Sequence, residues 1–152
     1  MYRKRNAAII FIAFVVALLL LILSVRILFS PVNGAKSTVN DFYQYEAKGE
    51  YSKSWSFLHP LMKERWPKAA YIQDRVHVFI GHFGTDTFTF TIDGGDKIKK
   101  WKMAKGMPPF KTVYQFQVTQ HYKGKYGKFK FIQDVYIVKN KGKWEILWDY
   151  NQ

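Results

Sequence analysis

Residues 7 to 25, AAIIFIAFVVALLLLILSV, contain no charge and no polar stripe, and Arg26 is followed by a further apolar triplet, Ile27-Leu28-Phe29. At about 1.5 Å of rise per residue such a run nearly covers a hydrocarbon core of about 30 Å, so it predicts a transmembrane helix over 7–29. The next residues, SPVNGAK, carry Pro31 and Gly34 and predict a linker over 30–36. Beyond it the pattern becomes helical. Ser37 is a candidate N-cap, and Val39, Phe42, Tyr43 and Ala47 fall on one stripe that Gly49 closes. Tyr51, Trp55, Leu58 and Met62 recur at helical spacing, with His59-Pro60 interrupting them. Ile72, Val76, Phe79, Ile80 and Phe83 predict a further helix, although VHVFI within it also reads as a strand.

From Thr85 the period changes to two. TDTFTFTID places Phe88, Phe90 and Ile92 on one face, and DGGD at 93–96 predicts a hairpin turn into KIKKWKM. TVYQFQVTQHY at 112–122 and KFKFIQDVYIV at 128–138 alternate likewise, and Asn140-Lys141-Gly142 turns the chain into a last strand. Helices first and strands afterwards predict an α+β domain over 37–152, its helices covering one face of a curved antiparallel sheet of about five strands. Trp144, Ile146, Trp148 and Tyr150 form the inward row of the last strand and should pack on Phe42 and Trp55. Phe131 stands with Phe129, Val135 and Ile137 on one face of the preceding strand, where Gln133 is the polar member.

Charge adds a compartment. Arg3, Lys4 and Arg5 sit in the short start, residues 1–6, just before the apolar run, which by the positive-inside bias keeps them cytoplasmic and sends the domain across the membrane. A cleaved secretory signal is the competing reading, but its apolar core would be only about 7–15 residues long. Zero cysteines exclude a disulfide framework and a cysteine-linked lipid anchor. Four of the 24 basic residues precede position 35, leaving 20 against 11 acids, a net +9, on the exported part. Outside a membrane the natural counterparts of such a charge are anionic lipids, anionic wall polymers or an acidic protein, and nucleic acid is not expected.

The chemistry-bearing residues are few. Asp134 and Asp149 lie out of phase with the inward rows, so neither is placed as a desolvated base. Asp74, His77 and His82 lack a fixed ligand spacing, and His59 and His121 read as surface residues. No phosphate loop, nucleophile elbow or metalloprotease motif occurs. No catalytic residue, metal or cofactor is therefore assigned. Aromatic residues make up 18% of the chain, and most belong to the core. Some stand beside lysines instead, and Lys97, Lys99, Lys100, Trp101, Lys102 and Lys105, with Tyr122, Lys123, Lys125 and Tyr126, form a candidate surface for a partner or a polyanion. The lysines spread over both ends of a meander, which fits diffuse attraction better than one tight footprint.

The aromatic-rich helix TVNDFYQYEAKGEYSKSWSFL and the closing hairpin VYIVKNKGKWEILWDY resemble the NTF2-like superfamily of cone-shaped α+β domains, over roughly residues 37–150. The hairpin is most similar to the NTF2-like N-terminal domain of some penicillin-binding transpeptidases of Gram-positive bacteria, although no S-x-x-K motif follows here. One span followed by such a domain is also similar in layout to VirB8-like components of conjugation and secretion machines. The resemblance implies a single-pass envelope protein that binds or scaffolds, in cell-wall synthesis first and a conjugation or secretion complex second, with association of two copies through the sheet. A ligand-binding or isomerase-like enzyme is the third reading; a pocket of several hundred cubic ångströms holding an inward carboxylate would favour it, and a cone plugged by Trp144, Trp148 and Phe131 would favour the binding module.

Overall fold

The computed structural model describes the backbone of residues 2–28 and 30–149, and the side chains of 11–26 and 30–149. The chain divides into two units, Met1–Asn33 and Gly34–Gln152. In the first, helix α1 runs from Tyr2 to Leu28, 27 residues. Among the described residues no single helix is long and apolar enough to cross a membrane; the segments Phe11–Arg26 and Pro31–Ala47 reach that length and composition only as a pair.

Helix α2 spans Pro31–Ala47, so the expected linker over 30–36 is helical and Ser37 lies inside a helix rather than at its cap. Two residues explain the earlier start. A proline in a first turn loses no hydrogen bond and has a helix-ready φ. Gly34 admits the Trp144 indole, whose Nε1 would stand 2.7 Å from any Cβ placed there. At the other end Gly49, with φ of 70°, closes the helix as the pattern predicts. Its N–H donates to Glu46 and that of Glu50 to Tyr45, the two bonds of a Schellman motif.

Helices α3 (Tyr51–Ser56) and α4 (Pro60–Arg65) flank the His59-Pro60 break. There the backbone N–H of Leu61 donates to His59 Nδ1 at 3.2 Å, so His59 caps α4 with its neutral ring. Burial holds the His59 pKa below its ordinary value, with Glu145, 3.9 Å from Nε2, pulling the other way. A depressed folded-state pKa means that the neutral ring contributes stability that is complete above the unfolded value near 6.5. That contribution is lost as pH falls from there through the folded value. A His59→Asn variant, which keeps an acceptor for Leu61, should show a shallower loss of stability below pH 6.5 in denaturant titrations; an identical slope would remove His59 from the pH response.

Helix α5 (Lys68–Arg75) runs into a π-helical segment, Val76–His82. Its wider turn closes with the Phe83 N–H on the Val78 carbonyl. The helical reading of this stretch is met, but not its single buried stripe, because the wider turn rotates side chains out of phase. Val76, Val78, Ile80 and Phe83 remain 37 to 45% exposed.

Among the described residues the sheet has four antiparallel strands in sequence order: β1 (Phe88–Trp101), β2 (Phe110–Gly124), β3 (Gly127–Asn140) and β4 (Lys143–Leu147). The expected count of about five fails at DGGD. Instead of reversing, the chain takes a bulge at Gly94–Asp96 and stays paired with β2 from Phe88↔Tyr122 to Trp101↔Phe110. Gly94 and Gly95, with φ of 87° and 123°, supply the left-handed conformations that such a bulge uses. Lys141 and Gly142, with φ of 47° and 85°, turn β3 into β4 as a two-residue hairpin. The chain before α4 lies along β4, with the His59 N–H on the Ile146 carbonyl and the Ile146 N–H on that of Phe57.

The main core lies between the helices and the inward row of the sheet. Val39, Phe42 and Tyr43 of α2 and Met62 of α4 meet Phe116, Val118, Val135, Ile137 and Ile146, all 0 to 2% exposed. A smaller layer covers the opposite face at one end. Trp101 stacks on Tyr136 at 4.2 Å, beside buried Met103, Val113 and Leu147.

Candidate functional site: an aromatic pocket on a buried ion pair

Glu46 lies three residues after Tyr43 and four after Phe42, and so falls on the buried stripe of α2, where it is 4% exposed. A carboxylate there requires partners, and the next helices supply them. The Tyr71 hydroxyl donates to Glu46 Oε1 at 2.7 Å, and the Ser54 hydroxyl donates to the same oxygen. Arg75, one turn beyond Tyr71 on α5, sets its Nε 3.2 Å from Glu46 Oε2. The guanidinium lies over the rings of Tyr71, Phe79 and Trp148 at 5.2 to 5.5 Å, a caged position that favours a planar cation.

This ion pair underlies a pocket of about 450 Å³ lined by Trp66, Tyr71, Arg75, Phe79, Phe131 and Trp148, with Gln133 and Lys130 on the β3 side and exposed Asp74 at the rim. Its volume lies within the range of small-molecule sites. Gln133 is held by Tyr43, whose hydroxyl donates to Gln133 Oε1 at 2.9 Å. Burial pushes the Tyr71 and Tyr43 phenols well up, with Arg75 opposing in both cases, so both remain donors at neutral pH. Glu46, engaged by two hydroxyls and a guanidinium, is immobilised and is not a free base. Among the described residues Trp148 Nε1 is a buried donor without a hydrogen-bond partner.

A second cleft of about 450 Å³ lies around the β2–β3 turn, with Phe88, Tyr122 and Phe129 as its floor and Lys123, Lys128 and Lys130 at its edge. Phe129 and Lys130 border both hollows.

The lysine-aromatic surface set is divided. Lys97, Lys99, Lys100, Lys102 and Lys105 are exposed at the far end of β1 and in the segment after it, whereas Lys123, Lys125 and Tyr126 are exposed at the opposite end of the sheet. Trp101 and Tyr122 leave the set as a correction. Trp101 is 9% exposed on Tyr136, and Tyr122 is 4% exposed between Phe79 and Phe129. Tyr122 falls on the inward row opposite Phe88, and Trp101, after the left-handed Lys100, falls in the smaller layer on the other face; neighbouring lysines do not decide on which face a ring falls.

Of the predicted interior residues, Phe42 is fully buried and Trp148 is 5% exposed between Phe42 and Trp66. Trp55 is half-buried with its Nε1–H donating to the Trp66 carbonyl at 2.9 Å, and Trp144 is half-buried beside Tyr114. Phe131 sits at the pocket rim, 45% exposed. Tyr150 lies outside the described residues. His77 and His82 approach Nε2 to Nε2 at 2.9 Å on the exposed π-helical segment. Among the described residues no group of three His, Cys, Asp or Glu is placed to hold a metal.

The Glu46, Ser54, Tyr71 and Arg75 constellation was not anticipated. Its signal lay in the i, i+3, i+4 spacing of Glu46 from Tyr43 and Phe42, which is a buried position whatever residue fills it. The chain matches no family model and no curated protein, so its function has to be argued from this aromatic pocket and the ion pair beneath it.

Proposed function

We propose that the chain is a membrane-anchored binding module of the NTF2-like type, with its folded body on the extracytoplasmic side of a bacterial cell envelope, serving a cell-wall synthesis assembly without catalysing a reaction. The observation that carries the binding part is the pocket of about 450 Å³ whose neighbouring buried carboxylate, Glu46, is committed to Arg75, Tyr71 and Ser54. A hollow of that size supports ligand or side-chain capture. The tied carboxylate argues against proton abstraction, the task an isomerase-like site would give it. Helices on one face of a bulged antiparallel sheet support the NTF2-like reading, as fold analogy.

The anchor is assigned to α1. Its side chains from Phe11 to Leu23 are apolar and largely exposed. Helix α2 buries Val39, Phe42 and Tyr43 in the core and so cannot offer that face to lipid. Arg3, Lys4 and Arg5 ahead of the run support a cytoplasmic start by the positive-inside bias.

Protease added to intact cells expressing the full chain should digest the folded body; protection until lysis would reverse the topology. The purified full chain should bind 1-anilinonaphthalene-8-sulfonate, an apolar fluorophore with one anionic group, saturably and at one site. Val78→Trp, which fills the pocket from its exposed wall, should abolish that binding. Non-saturable binding, or equal binding by the variant, would remove the pocket from the proposal.

A further inference from the structure

The outer face of the sheet, away from the helices, is charged at the end that carries the β2–β3 turn. Residues directly opposite one another on paired strands share a face, so the register sets Lys123 beside Lys128, and Thr89 beside His121 beside Lys130, all on this side. The row between them, Phe88, Tyr122 and Phe129, turns its rings the other way, where Phe79 stacks on Tyr122 and Phe83 packs on Phe129. Neither Phe79 nor Phe83 lines the second cleft of about 450 Å³, which therefore opens on the outer face, with the backbone of the ring row as its floor and the lysine stems as its walls. Neighbouring strands lie about 5 Å apart and alternate residues about 7 Å apart, so Lys123, Lys128, His121 and Lys130 mark the corners of a patch whose centre the long lysine side chains reach. Among the described residues none of these three lysines has an ion pair. The acids of the same face, Asp93 and Asp134, stand further along the strands, where they flank Gln117. Lysines opposed across a strand pair repel, and an anion seated between them replaces that repulsion with a shared attraction.

We propose that this cleft holds one phosphate of a linear polyol phosphate polymer, with Lys123, Lys128 and Lys130 as charged donors and His121 and Thr89 adding hydrogen bonds. Three features select this occupant. The hollow has several times the volume of a phosphate ion, which leaves room for the chain on either side of the bound group. Its concavity admits a thread and not the flat surface of a bilayer. The rings of its floor face the interior, so a nucleobase finds no stacking platform there. The sequence predicts attraction spread over both ends of the meander; the geometry concentrates it at this one. The availability of such a polymer rests on the extracytoplasmic placement proposed above, whereas its binding does not; protease access tests the first and titration the second.

Full chain reconstituted in phosphatidylcholine nanodiscs should bind a fluorescent oligo(glycerol phosphate) saturably, with an affinity that falls as salt rises. Lys123→Gln with Lys128→Gln should weaken it about twentyfold, without lowering the thermal melt, since the change removes a like-charge pair. Lys97→Gln with Lys99→Gln takes the same charge from the other end of the sheet and should weaken binding less than about twofold, because that charge is screened from the cleft. Lys123→Arg with Lys128→Arg should bind like the parent. Equal weakening by the two glutamine pairs would reduce the cleft to the general field of a basic protein and overturn the proposal. Tighter binding of oligothymidylate of equal charge, displacement of the oligomer by phosphatidylglycerol vesicles, or displacement by inorganic phosphate at the same phosphate concentration would overturn it too, in favour of a nucleic acid, a lipid surface or a lone anion. Neither Lys123 nor Lys128 lines the aromatic pocket, so saturable binding of the apolar fluorophore by the glutamine variant shows folded protein whether or not the oligomer binds, and the two sites are read separately.

Discussion

Replacing Arg75 by leucine should destabilise the folded domain by about 3–5 kcal/mol, the cost of leaving a buried charge without its counter-ion. Glu46 is 4% exposed, and the Arg75 side chain, at 18%, is still largely withdrawn from water. The two hydroxyl bonds from Tyr71 and Ser54 remain in the variant, but neither neutralises a carboxylate. Equilibrium denaturation of the full chain in detergent gives the measurement. The decisive comparison is the double variant Glu46→Gln, Arg75→Leu, which removes both charges and keeps the acceptor for Tyr71. It should recover more than half of the loss, since an ion pair replaced as a unit leaves no unpaired charge. Equal stability of the single variant and the parent would mean that water already solvates Glu46, and the rigid floor assigned to the pocket would be lost.

Truncating Trp148 to alanine should cost about 3–5 kcal/mol, the range for large aromatic deletions in well-packed interiors. The indole is 5% exposed and touches helices α2 and α5 through Phe42 and Arg75, and the link between α4 and α5 through Trp66. Because it also walls the pocket, the same change should weaken capture of the anionic fluorophore, whereas Phe42→Ala, equally buried but away from the pocket, should lower stability alone. A thermal melt that hardly moves for Trp148→Ala would show that the inward phase of the chain after β4 is misplaced.

Period carried most of the architecture. Alternation at Phe88, Phe90 and Ile92 located β1, and the stripe of Val39, Phe42 and Tyr43 located α2, because both follow from burying one face of a regular element. Two boundaries did not follow. Asp93-Gly94-Gly95-Asp96 suits a reversal or a bulge equally well by local preference, and the decision belonged to β2, which is long enough to pair with the chain on both sides of the glycines. Pro31 and Gly34 read as linker residues until a tryptophan more than a hundred residues away needed the space that a glycine leaves. Of the site, the aromatic walls were visible as in-phase rings. The floor was not, since a glutamate on an apolar stripe announces itself only when the stripe is followed through a charged position, and its partner Arg75 comes from a separate helix.

Helix α2 finds one of its packing partners in the chain just after β4, about a hundred residues later, through Phe42 on Trp148. Until that segment is delivered, α2 has only its earlier partners, among them Phe57 against Tyr45 and Phe90 against Tyr43, and the side at Phe42 lacks its last cover. Such sequence-distant closure slows folding and lengthens the interval during which sticky surface is displayed. The nascent polypeptide is thus committed to a waiting period, and an escort that shields α2 during that interval would raise the yield of properly folded molecules.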